Sequence, residues 1–198
     1  MGVTPAQDAE WEPWAGPIRR LVLRPAACEA AGMVTHRVLF ICLGNICRSP
    51  MAEGVFRRVV EKEGLIDRFE IDSAGLGDWH VGQAPDTRAQ AAAKSRGMDI
   101  SRQCARQVAD QDFAWFDLLL VMDRSNYAEL KRRAPADGRA KIHHFLDFAP
   151  QMGTKDVPDP FFGGAEGFDH ALDLIEEAAN GLLASLVGDE AMPAKRGA

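Results

Sequence analysis

Residues 37–50 read R-V-L-F-I-C-L-G-N-I-C-R-S-P, and the fold follows from how this stretch changes character. Val38 to Cys42 form a short, unbroken apolar run of the kind found in a strand buried on both faces. Gly44 ends it. Ser49 and Pro50 then mark a helix start, since proline is tolerated in the first turn, where its missing N–H is not needed. Met51, Val55, Phe56, Val59 and Val60 continue as one apolar stripe at helical spacing, which predicts a helix ending near Gly64.

The same alternation repeats toward the carboxyl terminus. F-E-I-D-S-A-G at 69–75 reads as a second strand, Asp86 to Arg96 as an alanine-rich helix stopped by Gly97, and D-L-L-L-V-M-D at 117–123 as a third strand. Ser125 to Arg133 reads as a short helix and Lys141 to Phe148 as a fourth strand. Phe168, Leu172, Ile175, Ala179, Leu182, Leu183 and Leu186 form the stripe of a long last helix. The fold class is therefore α/β: a small four-stranded, mostly parallel sheet with helices on both faces, a flavodoxin-like three-layer arrangement. Ligands of such sheets bind beyond the carboxyl ends of the strands, which directs attention to the loop after Cys42.

Composition bounds the partners. A chain of 198 residues with 46% hydrophobic and 26% charged residues has room for one domain and a proper core. Its net charge of -6 argues against a broad nucleic-acid or anionic-membrane surface, so no nucleic acid and no membrane are expected as partners. No apolar run approaches the roughly 18 residues of a membrane span. Four cysteines, Cys28, Cys42, Cys47 and Cys104, are unevenly spaced, which favours free thiols and a reducing cytoplasm. Residues 1–34 contain Pro5, Pro13, Pro17 and Pro25 without periodicity and read as a flexible or loosely attached extension, with Met33 standing just before the first strand. Docking of Trp11, Trp14, Ile18, Leu21 and Leu23 on the domain is the alternative. The working domain is expected over 35–190, with a disordered tail at 191–198. No His, Asp or Glu cluster has metal-ligand spacing, so no metal and no cofactor is expected.

Three features for stabilising an anion converge in the loop Cys42 to Pro50. The helix start leaves amides unpaired and adds a partial positive charge. Gly44 permits the bend that turns successive N–H groups inward. Arg48 supplies a planar fork that matches two phosphate oxygens. Cys42 lies beneath them, and thiols at helix amino termini beside a cation fall from a pKa of about 8.5 to roughly 3.5–7.5. An isolated strand-end cysteine is ordinarily only a small buried side chain. The coincidence of strand, glycine, C-x5-R and helix start selects a nucleophile instead, placed to attack phosphorus and form a phosphocysteine.

These residues, with M-A-E after them, resemble the low-molecular-weight protein tyrosine phosphatase family. The resemblance continues through D-S-A-G at 72–75, W-H-V-G at 79–82, D-T-R-A at 86–89, A-R-Q at 105–107, V-M-D-R-S-N at 121–126 and D-P-F-F at 159–162. It implies a phosphotyrosine-protein phosphatase with Cys42 as nucleophile and Arg48 as phosphate clamp. The amides of Leu43, Gly44, Asn45, Ile46, Cys47 and Arg48 would hold the phosphate oxygens. It also implies that Ser49 bonds the sulfur, although Ser49 also suits a plain helix cap, and that Asn45 with Ser73 braces the loop. The partner is then a phosphotyrosine-containing protein, and a monomer or weak dimer is expected.

The leaving oxygen needs a proton, so a carboxyl group must face the loop. Asp159, stiffened between Pro158 and Pro160, is the candidate and is the acid, later the base, that the resemblance implies; Asp156 is its rival. Leu43, Ile46, Trp79, Phe161 and Phe162 are the apolar candidates for the cleft wall, although one of the two phenylalanines also reads as core. The family's tyrosines after D-P are phenylalanines here. Ile46 resembles the tyrosine-directed type, whereas members resembling arginine phosphatases carry threonine there. Cys47 is near enough for a reversible disulfide with Cys42 or is simply a packed thiol. Gln103 stands where the family frequently has histidine. Two other classes fit the loop: thioredoxin-coupled arsenate reductase, which needs a distal cysteine pair where only Cys104 exists, and a binding module without turnover, against which Cys42, Arg48 and Asp159 together argue.

Overall fold

Strand β1 (His36–Cys42) sits inside the sheet, between β2 (Phe69–Gly75) and β3 (Leu118–Val121), with β4 (Lys141–His144) beyond β3. All pairings are parallel, in the order β2-β1-β3-β4. The computed structural model describes residues 34–190. Residues 1–33 of the extension expected over 1–34, with its docking alternative, and the tail expected at 191–198 lie outside the described residues, as does Cys28.

Alternation along β1 explains the layers. Val38 and Phe40 pack with Met51, Val55 and Phe56 of α1 (Arg48–Lys62) and with Phe168, Leu172 and Ile175 of α5 (Ala165–Glu190). Leu39 and Ile41 point the other way, against Phe113 of α3 (Asp110–Trp115) and Leu130 of α4 (Arg124–Arg133). A strand with apolar side chains on both faces must be covered on both, which is why β1 is continuously hydrophobic. Ala89 and Ala93 of α2 (Thr87–Ser95) join the first layer. Among the described residues, no helix is long and apolar enough to cross a membrane.

The α/β class, the four-stranded parallel sheet and the helices on both faces agree with expectation, and the sheet is parallel throughout rather than mostly so. Two elements differ. The fourth strand stops at His144, and Phe145–Phe148 turn as a 3₁₀-helix. Phe145 and Leu146 are both buried, and neighbouring residues of a flat strand would point to opposite faces. Asp147 Oδ2 accepts the His144 N–H at 3.2 Å and closes the turn. Helix α3 was not readable, because D-Q-D-F-A-W has too few apolar positions to show a period. Tertiary bonds hold it: Asp112 accepts the Ala109 N–H at 2.9 Å and is gripped by Arg106 at 2.9 Å.

The chain leaves β1 toward β2 on one side and returns to β3 on the other. The order therefore reverses between β1 and β3, and that point opens a crevice beyond their carboxyl ends.

Candidate active site

The loop after β1 occupies this crevice. Its helix, α1, begins with Cys47 as N-cap and has no side-chain cap, so the first-turn amides are left for a ligand. Ser49 is not the cap. Its hydroxyl lies 3.1 Å from Cys42 Sγ and 3.3 Å from the Ala74 carbonyl. The Asn45 N–H donates to the same sulfur at 3.3 Å.

The backbone bend falls at Asn45 rather than at Gly44. Asn45 has φ 56°, in the left-handed region, while Gly44 is not among the positive-φ glycines. Asparagine tolerates this conformation because its short amide can bond locally. Here Nδ2 donates to Ser49 Oγ at 2.9 Å and to Ser73 Oγ at 3.0 Å, and Oδ1 accepts the Arg106 N–H at 2.9 Å. Ser73 Oγ passes the network on to Glu53 at 2.8 Å. Gly75 serves proximity: a Cβ there would stand 3.0 Å from the Gly44 carbonyl carbon and 3.1 Å from Asn45 N, so the loop can lie on β2 only because residue 75 has no side chain.

Arg48 is buried, with 3% of its side chain exposed. Nη1 donates to Asp123 Oδ2 at 2.5 Å and to the Val157 carbonyl at 3.2 Å, and Nη2 donates to Asp159 Oδ2 at 2.7 Å. Burial works against its charge, but Cys42, Asp159 and Asp123 outweigh that and hold its pKa above the ordinary guanidinium value. For Cys47, burial and then the Asp86 carboxylate push the thiol up to about 12. Cys47 therefore stays protonated at neutral pH, and both it and Cys42 are free thiols.

The cleft above the loop has a volume of about 200 Å³. Cys42, Cys47 and Arg48 line it together with Leu43, Gly44, Ile46, Trp79, Asp159, Phe161 and Phe162. The two candidate carboxylates separate here. Asp159 lines the cleft, whereas Asp156 bonds the Arg124 N–H at 3.1 Å, at the start of α4. Neither phenylalanine is core: Phe161 is 37% and Phe162 95% exposed, packed edge to face at 5.1 Å. Gln103 Nε2 bonds the Pro50 carbonyl at 3.2 Å, in the first turn of α1.

The chain belongs to the low molecular weight phosphotyrosine protein phosphatase family. The family model matches residues 37–192. The low molecular weight phosphotyrosine protein phosphatase of Schizosaccharomyces pombe is 46% identical over 146 residues, 73% of this chain and 93% of that protein. Among solved structures, a protein tyrosine phosphatase from Entamoeba histolytica superposes with a TM-score of 0.75 at 39% identity, covering 78% of this chain and 99% of that one. A Drosophila arginine phosphatase does so with a TM-score of 0.71 at 35% identity, covering 75% and 96%.

Some residues of the site had no role assigned from sequence. Asp123 is the foremost: it lies in V-M-D-R-S-N, two residues after β3, and it is the sheet order, with β3 beside β1, that brings it to the crevice. His80, which lines the cleft and bonds Gln83 at 2.9 Å, lies in W-H-V-G, Glu53 in M-A-E, and Asp86 and Arg88 in D-T-R-A, motifs that carried the resemblance but assigned these four residues no role.

Proposed function

We propose that this chain hydrolyses phosphotyrosine monoesters in proteins through a phosphocysteine intermediate on Cys42. The observation that carries this reading is the placement of Cys42 Sγ at the floor of an open-amide loop, with Arg48 and Asp159 2.7 Å apart above it. Phosphate takes the place of the carboxylates at the Arg48 fork and of solvent at the loop amides. Sγ attacks phosphorus in line with the leaving oxygen, the S–P bond forms as P–O breaks, and Asp159 delivers its proton to the departing phenolate. Asp159, now ionised, takes a proton from water as that water attacks phosphorus. Phosphate leaves with the oxygen and the thiolate returns. Asn45 N–H and Ser49 Oγ stabilise the sulfur as the departing group of the second step. Every step is carried by groups of the chain itself, side chains and loop amides together.

Asp159 bonds Arg48, and a phosphate dianion that takes over the Arg48 fork releases Asp159 toward the leaving oxygen. Depth favours tyrosine. Cys42 is only 3% exposed, and a phosphate on the short serine side chain reaches it less well than one at the far end of a ring lying along Trp79, Leu43 and Phe162. A nucleophile that must remain a free thiol suits the cytoplasm.

The test is hydrolysis of p-nitrophenyl phosphate in the presence of a chelator, followed by a panel of phosphotyrosine, phosphoserine and phosphoarginine peptides, with arsenate reduction as control. Cys42→Ser should fall to background, and Arg48→Lys should damage both KM and kcat because the fork is lost. Asp159→Asn should cripple turnover while Asp156→Asn does not. Full activity in Cys42→Ser, or a preference for phosphoarginine, overturns the reading.

A further inference from the structure

The two walls of the cleft are separate stretches of chain, the loop after β1 and the segment that carries Asp159. The corner before α2, Asp86 to Arg88, is bonded to both. Asp86 donates its N–H to the Ile46 carbonyl at 2.8 Å, inside the phosphate loop. Its carboxylate accepts the Arg88 N–H at 2.8 Å as the cap of α2, and grips the Arg88 side chain through Nε at 3.0 Å and Nη2 at 2.8 Å. The remaining arm, Nη1, reaches across the cleft edge to the carbonyls of Phe161 at 3.0 Å and Gly163 at 3.3 Å. The guanidinium lies 4.9 Å from the ring centre of buried Phe168 and 5.5 Å from that of Phe161.

The far side of the Phe161 residue holds the acid. Its N–H donates to Asp159 Oδ1 at 3.2 Å. The segment Asp159–Gly164 belongs to no helix or strand and contains Gly163 and Gly164, with a turn bond from Gly163 N–H to Pro160 O at 2.9 Å. Such a segment has little stiffness of its own beyond its prolines. From these bonds we infer that Arg88, anchored by Asp86, is a positioning residue: it ties the acid-bearing segment to the phosphate loop and so sets the reach of Asp159 to the leaving oxygen. The inference rests on Asp159 being the general acid. Arginine is required because one planar fork must meet the carboxylate on one side and the carbonyls on the other, which a point-charged ammonium cannot do at once. The Arg88 hydrogen bonds, against a smaller effect of burial, hold the Asp86 carboxyl below its ordinary value, so the pair persists as an ion pair well into the acid range.

The experiment measures kcat/KM on a series of aryl phosphates from p-nitrophenyl phosphate to phenyl phosphate, whose phenol has a pKa of about 10, like tyrosine. A misplaced acid matters most for the most basic leaving group. Arg88→Ala is expected to lower kcat/KM for phenyl phosphate by about 10-fold or more, and for p-nitrophenyl phosphate by only about 2-fold. Asp159→Asn should steepen the same dependence further, the double variant should be no steeper than Asp159→Asn alone, and Arg88→Lys should lie between. A purely structural role would lower every substrate alike. If Asp159→Asn steepens the series and Arg88→Ala does not, the positioning role is overturned while the acid stands. If Asp159→Asn leaves the series flat, the acid assignment falls and the Arg88 role falls with it. Should Arg88→Ala fail to fold by circular dichroism, Arg88→Gln and Arg88→Lys carry the same comparison.

Discussion

Asn45 combines two demands that few side chains meet together, a left-handed backbone and a side chain that bonds three partners. The demands can be separated by substitution. Asn45→Gly keeps the conformation and loses the bonds, leaving buried partners unsatisfied at about 1–3 kcal/mol. Asn45→Ala loses both, and the left-handed strain of roughly 1–2 kcal/mol, partly offset by glycine's greater freedom when unfolded, makes it the less stable of the two by about 1 kcal/mol. Urea denaturation of both variants measures this. Equal midpoints would show that the loop relaxes its bend when the amide is gone.

At the scale of elements, α5 is set by how closely it approaches the 3₁₀ turn Phe145–Phe148. Gly181 lies where a Cβ would come 1.9 Å from the Phe148 carbonyl oxygen, a backbone atom with no rotamer to escape into. Glycine to alanine inside a helix usually gains about 0.5–1 kcal/mol, but forcing the helix off the turn costs about 1–3 kcal/mol or more. Gly181→Ala is therefore expected to lower the melting temperature, and a rise would mean that α5 slides freely. The same close packing accounts for the misplaced end of β4. From Lys141 onward the residues look strand-like, and only the approach of α5 makes both Phe145 and Leu146 face the core.

For the molecule as a whole, Glu53 links folding to pH. Burial raises its carboxyl above the ordinary 4.5, and the opposing bonds from Ser73 and Arg57 do not cancel that. Folding thus takes up a proton between the ordinary and the raised value, and stability falls as pH rises through that window. Glu53→Gln cannot ionise. The melting temperature of the natural protein minus that of Glu53→Gln should therefore drop as pH rises from about 4.5 toward neutrality. A difference that grew with pH would mean that the paired carboxylate is stabilising instead.

How much of this was legible depended on whether a property is local. The alternation of strand and helix, the mostly parallel sheet it implies, and the loop from Cys42 to Pro50 are written in neighbouring residues, because burial period, helix starts and C-x5-R spacing act over a few positions. Asp159 was legible as the favoured acid because Pro158 and Pro160 flank it, with Asp156 three residues away as its rival. The fold turned one toward the cleft and the other toward Arg124. Asp123 against Arg48, Glu53 behind Ser73 and Arg88 across to Phe161 join residues 75, 20 and 73 positions apart. The sequence by itself determined the layers and the reactive loop, because short-range sterics and hydrophobic period suffice for those. Only the tertiary structure decided which distant charges surround that loop, because a hydrogen bond depends on distance in space, and chain position does not report it.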